Sequence, residues 1–130
     1  MTRPRHFIGI DLHKTAIQVC VLDEKGERSE EFHLRLETPA DGQEALRRLT
    51  RWRTTGRFVV EALGLDRWFV KGCQAAGLRI TVADAAQLGL KHLGRKPGRR
   101  DAQELARRLF LGDIDRYATS LQKSGGASTM

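Results

Sequence analysis

The chain has little cysteine and no long apolar segment, and each shortage excludes a class of protein. Its two cysteines, Cys20 and Cys73, lie inside apolar runs. We therefore expect buried thiols in a reducing compartment rather than a disulfide framework or a metal site. No apolar run approaches the roughly 20 residues of a membrane-spanning helix, and the N-terminal MTRPRHF has no apolar signal-peptide core. A cytoplasmic protein without a membrane partner is expected.

The composition indicates one basic domain. The chain has 130 residues, of which 40% are hydrophobic, enough for one core but not for two. Lys and Arg total 23 against 16 Asp and Glu, which leaves a net charge of +7. This excess is typical of a protein that binds a polyanion, most often nucleic acid. A basic protein without a specific partner is the alternative, because net charge also serves solubility.

The hydrophobic pattern predicts an α/β fold with a mixed sheet. Three strands joined by short links are expected over 6–11, 16–22 and 31–36, where Phe32, Leu34 and Leu36 point inward. Two further strands are expected over 57–61 and 78–83, and the first of these is almost wholly apolar, as in a sheet covered on both faces. We expect the first three strands to form an antiparallel meander.

Helices are predicted between and after the later strands. Asp41 is a candidate N-cap for the first, with Glu44 completing a capping box. The second starts near Leu65 and is expected to turn Trp68 and Phe69 toward the sheet. A short helix over 84–93 and a final helix from Asp101 follow, the final one with an apolar stripe of Ala102, Leu105, Ala106 and Leu109. The order βββαβαβα predicts a five-stranded mixed sheet flanked by helices. The domain is expected to span 1–118, with a flexible tail over 119–130.

Carboxylates follow two of the predicted central strands. Asp11 ends the first strand and Glu61 ends the fourth. Open α/β sheets place their sites just outside the carboxyl ends of the strands, so neighbouring strands would bring these acids together. Paired carboxylates share a proton or bind a cation such as Mg²⁺. Each acid alone has a simpler interpretation as a turn or cap residue, and Asp101 in particular suits a helix N-cap.

Three motifs resemble a known family. The segments FIGIDLHKT, VVEALG and RRDAQELARRL occur in the family's order within residues 7–115. They resemble the N-terminal domain of the insertion-sequence-110 family of transposases, also called DEDD transposases. The resemblance implies a RuvC-like ribonuclease H fold and DNA strand cleavage or transfer that depends on Mg²⁺ or Mn²⁺. It also implies that Asp11, Glu61 and Asp101 are catalytic metal ligands, and that DNA, a structured guide RNA and further copies of the chain are partners.

The sequence departs from the family pattern at two places. Gly98 stands where the family has its third acid, and Asp84 and Glu104 are candidate replacements. The chain also ends before the family's serine-containing C-terminal domain, so we expect it to correspond to the first domain only. These departures favour, as an alternative, an inactive module of the same fold that binds nucleic acid or dimerises.

Basic residues precede Asp101. On the implied fold this segment borders the acidic site and can contact the phosphate backbone; the alternative is a solvated loop. Lys14 matches a lysine of the family and is expected to contact a phosphate; His13, beside it, suits a surface position equally well. The full set of expected nucleic-acid contacts is Lys14, Lys91, Arg95, Lys96, Arg99 and Arg100.

A further class shares part of this pattern. GIDLHKT also resembles the first phosphate loop of actin-like and sugar-kinase ATPases. Those proteins need two such domains and a second glycine-rich loop, which this sequence does not contain.

Overall fold

A computed structural model describes residues 3–62, 67–84 and 99–114. The predicted five strands are present, with helices between and after them. In chain order the elements are β1 (His6–Leu12), β2 (Ala16–Leu22), β3 (Arg28–Arg35), α1 (Pro39–Leu49), a 3₁₀ turn (Thr50–Trp52), β4 (Gly56–Ala62), α2 (Arg67–Ala75), β5 (Ile80–Asp84) and α3 (Arg99–Leu111). The short helix predicted over 84–93 and the predicted tail lie outside the described residues, apart from Asp84.

The five strands form one mixed sheet in the order β3-β2-β1-β4-β5. The first three strands pair antiparallel, as the meander predicts. β4 and β5 are parallel to β1, with Ile10 beside Val60 and Glu61 beside Ala83. The carboxyl ends of β1, β4 and β5 therefore lie along one edge of the sheet, which we call the carboxyl edge. The predicted α/β class and mixed sheet are confirmed.

One face of the sheet packs against α1 and α2. Its core includes Ile8, Ile10 and Val60 from the central strands, with Phe69 and Cys73 from α2. The inward residues predicted for β3 and the residue after it, Phe32, Leu34 and Leu36, pack against this core. This face holds the larger apolar cluster of the described residues and supplies most of their hydrophobic stabilisation.

The orientation predicted for Trp68 is wrong. Its side chain is 49% exposed, whereas Phe69, Val70 and Cys73 are buried in α2. At one hundred degrees per residue, adjacent aromatic residues cannot both point at the sheet, and Phe69 takes the inward position. An exposed tryptophan therefore stands at the start of α2.

The N-cap predicted for α1 is also wrong by three residues. Thr38 is the N-cap, and its hydroxyl accepts a hydrogen bond from the Asp41 amide at 3.1 Å. The Asp41 carboxylate accepts one in return from the Thr38 amide at 3.1 Å. Pro39 occupies the first turn, where its missing N–H costs no hydrogen bond. Asp41 thus completes the capping box as its third residue instead of opening the helix.

The second face of the sheet packs against α3. All four residues of the predicted apolar stripe are buried: Ala102, Leu105, Ala106 and Leu109. The approach is closest at Gly9 on β1, where an added Cβ would lie 2.5 Å from the Ala106 amide nitrogen. Phe110, near the end of α3, packs edge-on against Phe7, near the start of β1. The helix therefore runs antiparallel to β1, and its first turn lies at the carboxyl edge.

Both cysteines are buried, as predicted. Burial raises the pKa of the Cys20 thiol to about 11, with a further contribution from the charge of Glu31. Burial likewise raises the pKa of the Cys73 thiol to about 12. Both thiols are therefore protonated at neutral pH and poor nucleophiles. Within the three described segments, no helix combines the length and the apolar character needed to cross a bilayer.

The contact between Gly9 and α3 generates a stability prediction. Gly9→Ala is expected to lower the free energy of unfolding by about 1–3 kcal/mol, because its Cβ meets helix backbone that has no rotamer with which to move aside. Chemical denaturation monitored by circular dichroism measures this change.

Gly72→Ala is the matched control, since its Cβ would meet only the flexible end of the Leu46 side chain. This control is expected to change stability little, or to raise it through the better helix propensity of alanine. Equal unfolding midpoints for Gly9→Ala and the unmodified chain would contradict the close packing.

Candidate functional site

Asp11 and Glu61 occupy neighbouring positions at the carboxyl edge. The parallel register of β1 and β4 pairs Ile10 with Val60, and the next residues along the two strands are Asp11 and Glu61. Side chains alternate across a strand, so both acids share the sheet face of Gly9 and Val59, which α3 covers. The two acids are fully buried. The structure therefore brings these two predicted site residues together.

Buried carboxylates need polar partners, because an isolated buried charge is costly. Both acids make polar interactions in the structure. For Asp11 one of them is with His13, whose Nε2–H donates to Asp11 Oδ2 at 2.9 Å. His13 is partly buried and holds the Asp11 carboxylate in one orientation. The signal for this contact was its spacing, since residues two apart in an extended segment share a face.

Asp101 lies in the first turn of α3. The helix begins at Arg99, two residues earlier, so the expectation that Asp101 is the N-cap is wrong. A carboxylate in the first turn is favoured by the positive end of the helix dipole. Because α3 runs antiparallel to β1, this turn stands at the same edge of the sheet as Asp11 and Glu61. Asp101 is half-buried and makes a polar interaction of its own.

The two candidate replacements for the third acid, Glu104 and Asp84, lie in different surroundings. Glu104 is one turn further along α3, where its carboxylate accepts a hydrogen bond from Arg108 Nε at 2.8 Å and pairs with Arg107 at 3.4 Å. The Glu104 carboxylate is thus paired with arginines of its own helix, which does not favour a role at the acidic site. Asp84 ends β5, where its backbone pairs with Ala62. Gly98 lies outside the described residues.

The acidic pair suits a hard divalent cation in its chemistry. Mg²⁺ prefers oxygen ligands and is usually held by one or two carboxylates, together with water and substrate phosphates. Asp11 and Glu61 provide such a pair. Among the residues that the structure describes, no three His, Cys, Asp or Glu side chains are gathered to hold a metal ion. The residues present thus fit a Mg²⁺ site completed by substrate, and the ligand roles of Asp11, Glu61 and Asp101 stay predictions.

Two of the predicted basic contacts are exposed near this edge. Lys14 is exposed in the turn between β1 and β2, three residues after Asp11. Arg100 is exposed in the first turn of α3, next to Asp101. For Arg99 the structure describes the helical backbone alone. Lys91, Arg95 and Lys96 lie outside the described residues.

Comparison with known proteins identifies the fold but no family. The chain is similar to the large terminase nuclease from thermophilic phage G20c, with a TM-score of 0.53 and 18% identity over 85% of this chain. It spans about half of that protein, 54% of its length. Thermus thermophilus RuvC is also similar, with a TM-score of 0.49 and 18% identity over 82% of this chain and 79% of RuvC. No family model and no curated protein matches. The chain has a ribonuclease H-like fold.

The acidic pair generates a metal-binding prediction. Mn²⁺ or Mg²⁺ is expected to raise the melting temperature of the unmodified chain, because the cation binds the folded state and relieves repulsion between neighbouring carboxylates. Asp11→Asn and Glu61→Gln are each expected to abolish this rise. Differential scanning fluorimetry across a metal titration measures it.

Glu44→Gln is the matched control, because it removes an exposed carboxylate on α1 that pairs with Arg47. This variant is expected to keep the full metal-induced rise. A rise that survives in both Asp11→Asn and Glu61→Gln would show that the cation binds elsewhere.

Proposed function

We propose that this chain is the nuclease domain of a DNA transposase or recombinase that resembles the insertion-sequence-110 family, and that it cleaves or transfers DNA strands with Mg²⁺ or Mn²⁺. The observation that carries the proposal is the pair of fully buried carboxylates, Asp11 and Glu61, side by side at the carboxyl edge. A fold stabilised by hydrophobic burial gains nothing from two adjacent buried acids, so their presence at this edge favours a functional role.

Each residue of the site has a proposed role. Asp11 and Glu61 are the principal metal ligands, and Asp101 contributes from the first turn of α3. A bound divalent ion would supply an activated water and stabilise the leaving oxygen of a phosphodiester. His13 orients the Asp11 carboxylate through the 2.9 Å hydrogen bond. Lys14 and Arg100 contact the DNA backbone on either side of the acids, with the basic segment before Asp101 adding further phosphate contacts.

Three independent features support this proposal. The fold is similar to that of a phage terminase nuclease. The three sequence motifs fall on β1, β4 and α3, the elements that meet at the carboxyl edge. The net charge of +7 suits a polyanionic substrate. A structured guide RNA, self-association and a cytoplasmic location are further proposals from the resemblance and the composition.

A DNA-nicking assay tests the proposal. The chain is incubated with supercoiled plasmid and with branched DNA in Mg²⁺ or Mn²⁺, and relaxed or cleaved products are separated on gels. We expect metal-dependent cleavage that Asp11→Asn reduces to background, because loss of the carboxylate removes a metal ligand. Glu44→Gln is again the control and is expected to cleave as the unmodified chain does. Cleavage that persists in Asp11→Asn would contradict the assignment of the site.

The missing third acid generates a gain-of-function prediction. If Gly98 occupies the position of that acid, Gly98→Asp adds a carboxylate to the site and is expected to tighten Mg²⁺ binding in isothermal titration calorimetry. Thr54→Asp is the matched control: it adds the same charge at an exposed position in the turn before β4, at the opposite edge of the sheet. Equal Mg²⁺ affinities for Gly98→Asp and the unmodified chain would overturn the alignment of Gly98 with the third acid.

A second candidate function is an inactive module that binds nucleic acid or dimerises. It is favoured by Gly98 at the third acidic position and by the lack of a three-ligand metal group among residues 3–62, 67–84 and 99–114. The two functions differ in the same assay. If the chain is an inactive module, the unmodified chain and Asp11→Asn bind DNA equally well and neither cleaves it. If the chain is a nuclease, the unmodified chain cleaves DNA and Asp11→Asn does not.

A further inference from the structure

Trp68 is placed unlike the other tryptophan of the chain. Trp52 is 5% exposed. Its ring stacks on Phe32, with centroids 6.2 Å apart, and lies under the Arg51 guanidinium, so nearly all of its surface is in contact with the protein. Trp68 is 49% exposed at the second position of α2. Indole is a large amphipathic surface of the kind that binding sites use. About half of this surface is therefore available to a ligand.

A groove runs beside the Trp68 ring. It has a cavity volume of about 420 Å³, within the range of ligand sites. We call it the Trp68 groove, and its lining includes Lys14, Thr38, Pro39, Gln43, Leu46 and Trp68. One side is an aromatic surface, and the remainder combines a lysine with polar and aliphatic groups.

The Trp68 groove lies at the carboxyl edge of the sheet, on the face opposite the acidic pair. Lys14 lies in the turn that follows Asp11, and Thr38 and Trp68 stand at the starts of α1 and α2. β3 and β4 run in the same direction as β1, so both helices leave the sheet at the edge where Asp11 and Glu61 lie. The groove is on the α1–α2 side and the acids are on the α3 side. A nucleic-acid strand that crossed this edge of the sheet would pass from the groove side to the side of the acids.

The Trp68 ring is held in position by its neighbours. Gly42 on α1 leaves room for it, since a Cβ at Gly42 would lie 3.3 Å from the indole ring. Phe69 meets it edge-on, with ring centroids 5.6 Å apart. An aromatic ring that is supported on one side and exposed on the other is preorganised for stacking, so little conformational entropy is lost when a planar ligand binds.

Charge favours an anionic occupant of the groove. None of the described residues that line it is Asp or Glu, whereas Lys14 contributes a positive charge. The nearest acids on α1 have other partners: the Asp41 carboxylate accepts hydrogen bonds from the amides of Glu37 and Thr38, and Glu44 accepts one from Arg47 at 2.8 Å. A ligand with a planar ring and a phosphate would match both the indole and the lysine.

We propose that the Trp68 groove binds an unpaired segment of nucleic acid, with one base stacked on the Trp68 indole and an adjacent phosphate held by Lys14. The inference extends the proposed function, on which it rests, by assigning a single-stranded segment of the substrate to this side of the edge. An unpaired base presents the free face that stacking requires, whereas the bases of an intact duplex already stack on each other. The occupant is therefore a single strand rather than a duplex.

Binding measured without cleavage tests this inference. Fluorescence anisotropy of a labelled oligothymidylate of roughly 10 nucleotides, in EDTA, reports affinity without requiring a metal or a nuclease. Trp68→Ala is expected to weaken binding by roughly 5- to 150-fold, the effect of losing one base–aromatic stack. Trp68→Phe is expected to retain part of the affinity, because a smaller ring remains.

Two further measurements separate stacking from charge. The oligonucleotide is expected to quench tryptophan emission saturably in the unmodified chain but not in Trp68→Phe, where only buried Trp52 remains. Lys14→Gln is expected to lower the salt dependence of binding by about 0.7 in log–log slope, the value for one single-strand phosphate contact. Lys25→Gln, in the exposed turn between β2 and β3 at the opposite edge of the sheet, is the matched control and is expected to leave the slope unchanged.

The outcomes distinguish this inference from the proposed nuclease function. A blunt duplex is added as a competitor in the same anisotropy assay. The proposed role of the Trp68 groove would be overturned by any of four results: unchanged affinity in Trp68→Ala, binding without quenching, equal competition by the duplex, or no binding to the oligonucleotide. If metal-dependent cleavage is observed together with any of these four results, the proposed nuclease function is still supported. Trp68-dependent binding without cleavage supports the groove and argues against the nuclease.

Discussion

The close packing of α3 on β1 at Gly9 is the constraint on which the site depends. The lack of a side chain at Gly9 lets the backbone of α3 approach the central strand, and the buried stripe from Ala102 to Leu109 holds it there. This contact fixes the position of α3 along the direction of β1. Its first turn, with Asp101 and Arg100, therefore stands at the edge where Asp11 and Glu61 end their strands. A larger residue at Gly9 would displace the helix and so shift Asp101 relative to Asp11 and Glu61.

The sheet separates two tasks between its faces. The α1–α2 face holds the main apolar core and so provides most of the stability. The α3 face holds the two buried acids, with a histidine that orients one of them. Buried carboxylates cost stability, and a well-packed opposite face allows the fold to tolerate that cost. The Trp68 groove and the acids share the carboxyl edge but lie on opposite faces of the sheet.

Particular residues show how far the sequence could predict this arrangement. The alternation of β3 and the stripe of α3 were predictable, because both follow from strict periods of two and 3.6 residues. Thr38 as the N-cap was missed because Thr38 and Asp41 both suit that role, and the cap is chosen by where the chain leaves β3. Trp68 was misplaced because a helical pattern cannot say which of two adjacent aromatics faces the sheet. The Asp11–His13 contact was overlooked although its spacing signalled it.

The sequence by itself determined the strands, the apolar stripe of α3, and the carboxylates that end β1 and β4, since each depends on local periodicity and residue type. The tertiary structure decided which of these features meet. The parallel register of β1 and β4 makes Asp11 and Glu61 neighbours, the antiparallel run of α3 brings Asp101 to the same edge, and the packing of Phe69 leaves Trp68 in solvent. These outcomes depend on contacts between residues that are distant along the chain, and local patterns carry no information about such contacts.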